Sequence, residues 1–302
     1  MTNTETLTEE NRNDRDRNEI VEALLASASI EVAKQSLAAA SDPIARVPAG
    51  TDIFLPFLPG ARFIDNLDDC RRLAGMGLNP MPHIAARALN SKKELAEGLS
   101  HYMEAGAAGF MLIAGDQSDP AGPFQNTLDV IDSGWLADNG VKRLGIAGHP
   151  DGHPVADQSD LIAAIKTKIA YGQETGTQLR IVTQFLFDAE SLVAWEQDLR
   201  DNGIALPVYA GFAGPAKLST LIGFALKCGV GNSARMLTKR PSAARLLGRW
   251  SPEPVFSGIV DHLTQTPESL IEGIHLYPFG GLGSTLDWIA GQSAATGQSA
   301  GS

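Results

Sequence analysis

The chain has 302 residues, a formal net charge of −11 and an isoelectric point near 5.0. Hydrophobic residues make up 43% and charged residues 20%, which is typical of a globular protein with a full core in one large domain or two ordinary ones. An acidic chain lacks the positive surface that non-specific nucleic-acid binding requires, so we expect no nucleic-acid partner. Two cysteines, Cys70 and Cys228, are too few for a disulfide scaffold or a cysteine-built metal site.

The two ends of the chain predict neither a targeting segment nor a membrane segment. Residues 1–17 are polar and charged with almost nothing to bury, so they predict a disordered N-terminal arm and not a signal peptide. Residues 291–302 are mostly small, which predicts a flexible C-terminal tail. Because no stretch of about 18 apolar residues occurs, we expect a cytoplasmic protein without a membrane partner.

Between these ends, short apolar runs alternate with stretches of helical length. The runs that predict strands are Ser29–Val32, Asp52–Pro56, Asn79–Ala85, Gly109–Ala114, Arg143–Gly148, Arg180–Phe187, Leu206–Gly211 and Gly273–Tyr277. The clearest predicted helices are Asn18–Ser27, Lys92–Ala105, Ser159–Tyr171, Ala189–Asn202 and Ala216–Cys228. Gly106, Gly203 and Gly229 follow three of these helices, as glycine commonly does at a left-handed helix end.

Repeated strand-then-helix units predict an α/β fold, the (β/α)8 or TIM barrel, with residues 18–290 as a single catalytic domain. One helix precedes the first strand. Residues 230–272 are too long for one helix, and Thr238–Trp250 and Glu253–Thr266 predict two, so we expect an extra helix between the seventh and eighth strands. A doubly wound open sheet is the alternative.

Polar and titratable residues stand where the predicted strands end. They are Glu31, His83, Asp116, His149, Asp151, His153, Gln184, Asp188, His275 and Tyr277. Active sites of this fold lie at the carboxyl end of the barrel, in the loops that follow the strands. His101 and His262 instead fall in predicted helices, where we expect them at the surface.

Two carboxylates are the first candidates for chemistry. Glu31 interrupts an apolar strand, and burial would favour its neutral form and raise its pKa, which suits a general acid near neutral pH. Asp116 follows Gly115 at the end of an apolar run and could accept hydrogen bonds from a nitrogen-rich ring. The simpler interpretations are a solvated strand end for Glu31 and the start of a turn for Asp116.

The loop His149-Pro-Asp-Gly-His153 is interpreted as a cofactor contact. A metal site is the weaker interpretation, because two histidines lack further close ligands. Lys166 and Lys168, on the helix that follows, could reach a phosphate or could belong to a solvated helix face.

The segment Thr183–Asp188 places an amide and two phenylalanines at a strand end. Period two puts Phe185 and Phe187 on one face, as in a barrel core, and Gln184 on the other. An amide among apolar neighbours suits the edge of a heterocycle, because it can donate and accept hydrogen bonds.

Taken together, these motifs resemble the methylenetetrahydrofolate reductase family in its compact bacterial form, from about Ser29 to Tyr277. Ala147-Gly-His-Pro-Asp-Gly-His-Pro154 is similar to the family's alanine–glycine–tyrosine–proline–glutamate–x–histidine–proline loop. Ile181–Asp188 is very close to the family's threonine–glutamine–phenylalanine–phenylalanine strand. The weaker matches, in the correct order, are Pro82-His83, Ile113–Asp116 and His275–Tyr277.

The resemblance implies non-covalent FAD at the carboxyl end and hydride transfer from NAD(P)H through the flavin to 5,10-methylenetetrahydrofolate, giving 5-methyltetrahydrofolate. It implies that Glu31 is the acid that helps to open the imidazolidine ring and that Asp116 holds the pterin and tunes the flavin. Gln184 and Phe187 would contact the folate. The implied cofactor contacts are His83, Gly115, His149, His153, Asp160 and Lys168. A folate and a nicotinamide nucleotide would be the partners, and a homo-oligomer stays open.

The sequence departs from the family pattern. Val32-Ala33-Lys34 replaces an aromatic-rich motif, Ala114 stands where an arginine usually precedes the glycine–aspartate pair, and His149 and Thr167 replace a flavin-stacking tyrosine and a basic residue. A lost charge-assisted contact to a phosphate removes about 1.5–3 kcal/mol. The alternatives are therefore flavin-free transfer from NADH, an enzyme that runs in the oxidising direction, a pterin-binding methyltransferase-type barrel without a redox step, or a non-catalytic folate-binding barrel.

Overall fold

The computed structural model describes residues 9–33, 41–153, 155–227 and 248–299. Its strands are β1 (Ser29–Glu31), β2 (Asp52–Leu55), β3 (Asn79–Ala85), β4 (Phe110–Ile113), β5 (Arg143–Gly148), β6 (Gln178–Thr183), β7 (Val208–Ala213), β8 (Ala216–Lys217), β9 (Arg249–Trp250) and β10 (Ile271–Tyr277). Strands β1 to β7 and β10 are parallel neighbours in a closed barrel, and β8 pairs with β9 in a separate antiparallel sheet. The predicted (β/α)8 barrel is confirmed. The open-sheet alternative is wrong, because β1 pairs with both β2 and β10.

Helices surround the barrel on its outer side. The α-helices of the described part are Glu9–Ala26, Ser41–Ile44, Leu67–Gly75, Lys92–Glu104, Thr127–Asp132, Trp135–Asp138, Gln158–Thr175, Ala189–Asp201, Leu218–Lys227, Glu253–Gln265 and Leu282–Ser299. Leu218–Lys227 and Glu253–Gln265 both lie between β7 and β10, which confirms the extra helix predicted there. None of the helices in this part of the chain is long and apolar enough to cross a bilayer.

Two sets of side chains hold the barrel closed. Alternate strand residues point outward, and those such as Ile53 and Leu112 pack with the helices in the main core. The other alternate residues point inward and form a separate apolar cluster, made of Phe54, Met81, Met111 and Val182. Because the side chains of this cluster come from four strands, they fill the middle of the barrel. Any ligand site must therefore lie at one of the two ends of the barrel.

Helical structure extends further at both ends of the chain than the sequence predicts. The first helix begins at Glu9, so residues 9–17, assigned to a disordered arm, are helical, and Arg17 pairs with Asp261 of a neighbouring helix. The segment assigned to a flexible tail continues the last helix to Ser299, with Thr296 buried. Composition alone missed both segments because helix formation depends mainly on packing against neighbours.

Three local predictions, on the helix-end glycines, one helix and one histidine, can also be compared with the structure. The left-handed φ of Gly106 (+89°) and Gly203 (+73°) is confirmed, and Gly229 lies outside the described residues. Of the predicted helix Thr238–Trp250, residues 238–247 lie outside the described residues as well, and the last two form β9. His262 is not a surface residue, because its side chain is only 11% exposed.

Candidate functional site

The carboxyl end of the barrel holds a half-buried acid. Glu31 is the last residue of β1, and its side chain is 20% exposed. Its Oε2 lies 3.5 Å from Nε2 of His83 on β3. Burial raises the pKa of Glu31 to about 8 and lowers the pKa of His83 to about 3. At pH 7 both groups are therefore neutral, and the contact joins a protonated carboxyl to an imidazole and not two ions.

The surroundings of this pair explain why Glu31 stays protonated. The ring of Phe54 packs edge-on against His83, with centroids 6.1 Å apart, and against His275, with centroids 4.7 Å apart. Desolvation accounts for the raised pKa of Glu31, and no cation of the described residues lowers it. A carboxyl that keeps its proton at neutral pH has the property that a general acid requires.

His275 lies deeper in the barrel than the sequence suggested. Its side chain is buried, its Nδ1 lies 2.8 Å from Oγ of Ser29, and the two residues are register partners. Ser29 precedes Glu31 by two residues and so shares its face of β1. His275 therefore sits one layer below the mouth of the barrel. Burial, with the charges of Arg180 and His83, lowers its pKa well below the ordinary value, so it is neutral.

The loop after β4 lies beside an arginine that the sequence did not single out. Gly115 has a φ of +92°, and Asp116 is exposed. Arg87 follows β3, and its backbone N–H donates to the Ala114 carbonyl at 2.8 Å. Within the described residues, the buried Nε of Arg87 and the buried Oε1 of Gln117 have no hydrogen-bond partner. A donor and an acceptor left unsatisfied beside one loop mark a place where a polar ligand could bind.

The loop after β5 brings its two histidines together. The rings of His149 and His153 pack edge to face with centroids 4.8 Å apart. Nδ1 of His153 accepts backbone N–H groups from Val155 (3.3 Å) and Ala156 (3.1 Å), so the neutral ring carries its hydrogen on Nε2. Burial, followed by the charges of His153 and Lys168, lowers the pKa of His149 to about 4. A neutral ring pair of this kind suits contact with a planar group.

Lys168 and Lys166 point in different directions, because residues two apart on a helix lie about 200° apart. Lys168 is only 7% exposed, and burial lowers its pKa to about 8, so it is still mostly cationic at pH 7. It forms no ion pair with the residues that the structure describes. Lys166 lines a surface groove with Asp198 and Asn202. Asp160 is exposed on the first turn of the same helix.

Asp151, in the loop after β5, is a second acid whose pKa is raised. Burial, together with the charge of Asp188, raises the pKa of Asp151 to about 6. Asp188 caps the helix Ala189–Asp201 by accepting the Ser191 N–H at 2.9 Å. Across the described ranges, no group of three or more histidine, cysteine, aspartate or glutamate side chains could hold a metal ion, so the metal interpretation of this loop gains no support.

Gln184 stands directly beyond the end of β6, where the neighbouring strands also end. Its backbone N–H donates to the Gly148 carbonyl at 2.9 Å. The Tyr277 hydroxyl donates to the Thr183 carbonyl at 2.9 Å, and the Gly211 N–H donates to the Thr183 hydroxyl at 2.8 Å. Gln184, which is half-buried, therefore lies beside the ends of β5 and β10 at the same mouth as Glu31.

Aromatic rings line one side of the carboxyl end. Phe187 is buried, with its ring edge-on to Trp250 at 5.1 Å between centroids. Phe279 stacks on Phe224, with centroids 4.3 Å apart, and on Tyr277, with centroids 5.7 Å apart. Phe224 is 37% exposed. The stack, which the sequence did not indicate, offers a partly exposed aromatic face to a planar ligand.

The three residues on which the predicted site depends reach the same end of the barrel. Glu31, Asp116 and Gln184 end or follow β1, β4 and β6, and parallel strands place all three at the carboxyl end. Glu31 contacts His83, and Gln184 is tied to the end of β5 through its backbone. Asp116 makes no hydrogen bond or ion pair with the described residues. Its side chain is therefore available to a ligand and not engaged in the fold.

Comparisons with known proteins place the chain next to folate enzymes. A family model described as methylenetetrahydrofolate reductase matches residues 70–228, just over half of the chain. Methylenetetrahydrofolate reductase 1 of Schizosaccharomyces pombe is 33% identical over 69 residues, which are 22% of this chain and 11% of that protein. The 5,10-methylenetetrahydrofolate reductase of Pectobacterium carotovorum is 29% identical over 152 residues, 49% of this chain and 48% of that protein. The chain thus spans about half or less of the length of these relatives.

One solved structure resembles the whole barrel. It is a Clostridium thermocellum protein described as binding two copies of 5-methyl-5,6,7,8-tetrahydrofolic acid. The TM-score is 0.52 at 11% identity, and the match covers 93% of this chain and 99% of that one. At this identity the likeness shows the fold alone.

Proposed function

The chain belongs to the methylenetetrahydrofolate reductase family, and we propose that it interconverts 5,10-methylenetetrahydrofolate and 5-methyltetrahydrofolate by hydride transfer from or to NAD(P)H through FAD. The observation that carries the proposal is the neutral Glu31 at the carboxyl end of the barrel. A protonated carboxyl in a part-buried mouth is suited to give one proton to a ring nitrogen.

Glu31 acts in this proposal as the general acid. The reducing direction requires a proton to open the five-membered ring of the methylene folate, and a group with a pKa of about 8 holds that proton at pH 7. Nε2 of His83 lies 3.5 Å from the carboxyl, and in this proposal the imidazole helps to orient it. When Glu31 has given up its proton, the same imidazole lies close enough to interact with the new carboxylate.

Gln184 and Asp116 hold the folate in this proposal. The amide of Gln184 can donate to and accept from the edge of a pterin, and the exposed carboxylate of Asp116 can accept hydrogen bonds from its N–H groups. The stack of Tyr277, Phe279 and Phe224 provides an aromatic surface beside them. Phe187 is buried behind this surface, so it would support the folate pocket more than it would touch the ligand.

The residues at the mouth fit an anionic, planar cofactor. FAD, when bound, supplies the transfer of hydride between the nicotinamide and the folate. Lys168 and Arg87 are cations without a protein ion pair in the described part, and such cations favour phosphate oxygens. His149 and His153 are neutral or nearly so and flat, and they lie close to Lys168. In this proposal these residues bind and orient the cofactor, with Gly115 leaving room at the β4 loop.

A second candidate is direct hydride transfer from NADH to the folate without a flavin. The observation that favours it is the missing charge at two positions. Ala114 supplies no side-chain donor, and the Thr167 hydroxyl donates to the Ala163 carbonyl at 3.0 Å and is therefore already engaged. The role of Glu31 is the same in both candidates, because each requires the same proton.

The absorbance spectrum of the purified protein distinguishes the two candidates. Flavin bands that are bleached by NADH or NADPH and restored by 5,10-methylenetetrahydrofolate are expected for the flavin route. A colourless protein that oxidises NADH with methylenetetrahydrofolate, and is not stimulated by added FAD, indicates direct transfer. A protein that shows neither behaviour under both conditions would contradict the proposed reaction and leave a pterin-binding barrel without a redox step.

The Glu31→Gln variant tests the acid within either route. Its turnover in the reducing direction should fall by about 10²- to 10⁴-fold, the range of general acid catalysis, while folate binding should change little. Glu272→Gln, the same substitution at an exposed position of β10, is the matched control and should keep full activity. Equal turnover in the wild type and the Glu31→Gln variant would refute the assignment.

A further inference from the structure

A second cavity lies at the opposite end of the barrel from Glu31. It has a volume of about 840 Å³. Asp52, Asn79 and Arg143, which line it, are the first residues of β2, β3 and β5, so it opens at the amino end of the parallel strands. We call it the amino-end cavity. The apolar cluster in the middle of the barrel separates it from the proposed active site.

An unbalanced ion cluster forms the polar wall of the amino-end cavity. Arg143 donates to both carboxylate oxygens of Asp52, at 3.1 and 2.5 Å, and Nη2 of Arg180 lies 2.7 Å from the same carboxylate. Burial acts to raise the pKa of Asp52, but the hydrogen bond from Arg143 and the charges of both arginines hold it below the ordinary value. Asp52 is therefore ionised, yet one carboxylate balances only one of the two guanidinium groups.

The excess positive charge is held in place by aromatic rings. The Arg180 guanidinium lies 4.4 Å from the ring centroid of Tyr209 and 5.1 Å from that of Phe54. Joining β2 to β5 requires only the bidentate pair of Asp52 with Arg143. Neither the second fixed guanidinium nor the open volume beside it is explained by that structural role.

The rim of the amino-end cavity adds a third arginine. Arg46 pairs with Asp287 at 2.6 Å, and both side chains are about half exposed or more. Exposed pairs of this kind contribute about 0–1 kcal/mol, so Arg46 can turn to a ligand at little cost. Asp52 is the only acidic residue among the described residues that line the cavity. In a chain with a net charge of −11, this is a local positive site that attracts anions.

The remaining walls are apolar. Leu25, at the end of the first helix, and Leu286 and Ile289, on the last helix, also line the amino-end cavity. A mostly apolar cavity of this size with a few fixed polar groups has the character of a small-molecule site. The ligand that fits is an organic anion with one carboxylate or phosphate head and an apolar body.

We propose that the amino-end cavity is a second ligand site, which binds a small organic anion with its head on Arg143 and Arg180 and its body against the first and last helices. Binding there does not depend on the reaction proposed for the carboxyl end. Phenyl phosphate, benzoate and inorganic phosphate, titrated separately by calorimetry, test the site and distinguish a phosphate head from a carboxylate head. Phenyl phosphate or benzoate should bind in a saturable way and more tightly than inorganic phosphate.

Two variants with opposite expected effects sharpen the test. Arg143→Gln removes one guanidinium but leaves Arg180 on Asp52, and it should weaken binding about tenfold, the loss of one charge-assisted contact. Asp52→Asn removes the competing carboxylate and should strengthen binding. Arg71→Gln, at an exposed pair with Asp68 on another helix, is the matched control and should bind as the wild type does. Thermal unfolding of each variant checks that it is folded.

Three results would overturn the proposal. They are no saturable binding of phenyl phosphate or benzoate to the wild type, equal affinities for the wild type and the Arg143→Gln variant, and loss of probe binding in a Gln184→Ala variant, which leaves the amino-end cavity unchanged. The last result would place the probe at the carboxyl end. A protein that binds the probe but lacks reductase activity would support the second site and contradict only the proposed reaction.

Discussion

Replacing Glu31 by glutamine should change how the stability of the protein depends on pH. The carboxyl has an ordinary pKa of 4.5 in the unfolded chain, and burial raises its pKa to about 8 in the fold. The fold therefore favours the protonated form. The stability from this group is complete below about pH 4.5 and is lost as the pH rises through about 8. Glutamine has nearly the same shape and cannot ionise, so the variant lacks this loss.

The magnitude follows from the difference between the two pKa values. A difference of one between folded and unfolded pKa values corresponds to about 1.4 kcal/mol. From about pH 5 to about pH 8, the unfolded chain releases the proton of Glu31 and the folded protein largely keeps it. The free energy of unfolding of the wild type should therefore fall by about 3 kcal/mol relative to the Glu31→Gln variant over this range.

Urea titrations at several pH values measure this difference, because the midpoint and slope give the free energy of unfolding at each pH. Other titrating groups affect both proteins equally, so the difference between the two curves isolates Glu31. Glu272→Gln reports the effect of the same substitution at the surface. A difference that stays constant from pH 5 to pH 8 would mean that Glu31 ionises normally, and the general acid proposed for the reaction would then lack its physical basis.

Three other substitutions test further parts of the structure. Arg87→Gln should weaken FAD binding, measured by calorimetry, by about tenfold, whereas Arg72→Gln, at an exposed helix position, should leave FAD binding unchanged. Equal effects of the two substitutions on FAD affinity would contradict the proposed contact of Arg87 with a phosphate. Gly211→Ala should lower the free energy of unfolding by about 1–3 kcal/mol, because the new Cβ would lie 2.3 Å from the Thr183 carbonyl oxygen. An unchanged urea midpoint would refute this close approach of the β7 backbone to Thr183. Tyr102→Phe removes the buried hydrogen bond of 2.7 Å from the Tyr102 hydroxyl to the Phe63 carbonyl, so it should lower the free energy of unfolding by about 1 kcal/mol. A free energy of unfolding equal to that of the wild type within error would contradict that bond.

The sequence predicted the barrel well because its strands are buried on both faces. Runs such as Phe110–Ile113 and Arg143–Gly148 are nearly continuous apolar segments, and breakers or polar residues mark their ends. The end of β6 was harder, because Gln184 to Phe187 continue the apolar pattern although the strand stops at Thr183. Local composition does not show where a chain leaves a barrel wall, because that depends on the neighbouring strands.

The candidate site was predictable only in part. A polar residue at the end of an apolar strand identified Glu31 and His83, and the same rule would have identified Arg87, which follows β3. The stack of Phe224 on Phe279 joins residues on either side of a long insertion, so no local spacing indicates it. The depth of His275 in the barrel depends on the pairing register of β10 with β1, where His275 lies opposite Ser29. No local sequence pattern indicates this register, because the two strands stand at opposite ends of the chain.

The interior of the barrel explains how one chain keeps a neutral acid at one end and ionised arginines at the other. Burial alone would raise the pKa of both Glu31 and Asp52. Arg143 and Arg180 reverse this effect at Asp52 because they touch it, and the apolar middle of the barrel keeps them away from Glu31. An arginine near Glu31 would stabilise its charged form and remove the proton from the proposed reaction. The apolar layer therefore does more than fill space, because it is what allows two buried carboxyl groups of one barrel to hold opposite protonation states at the same pH.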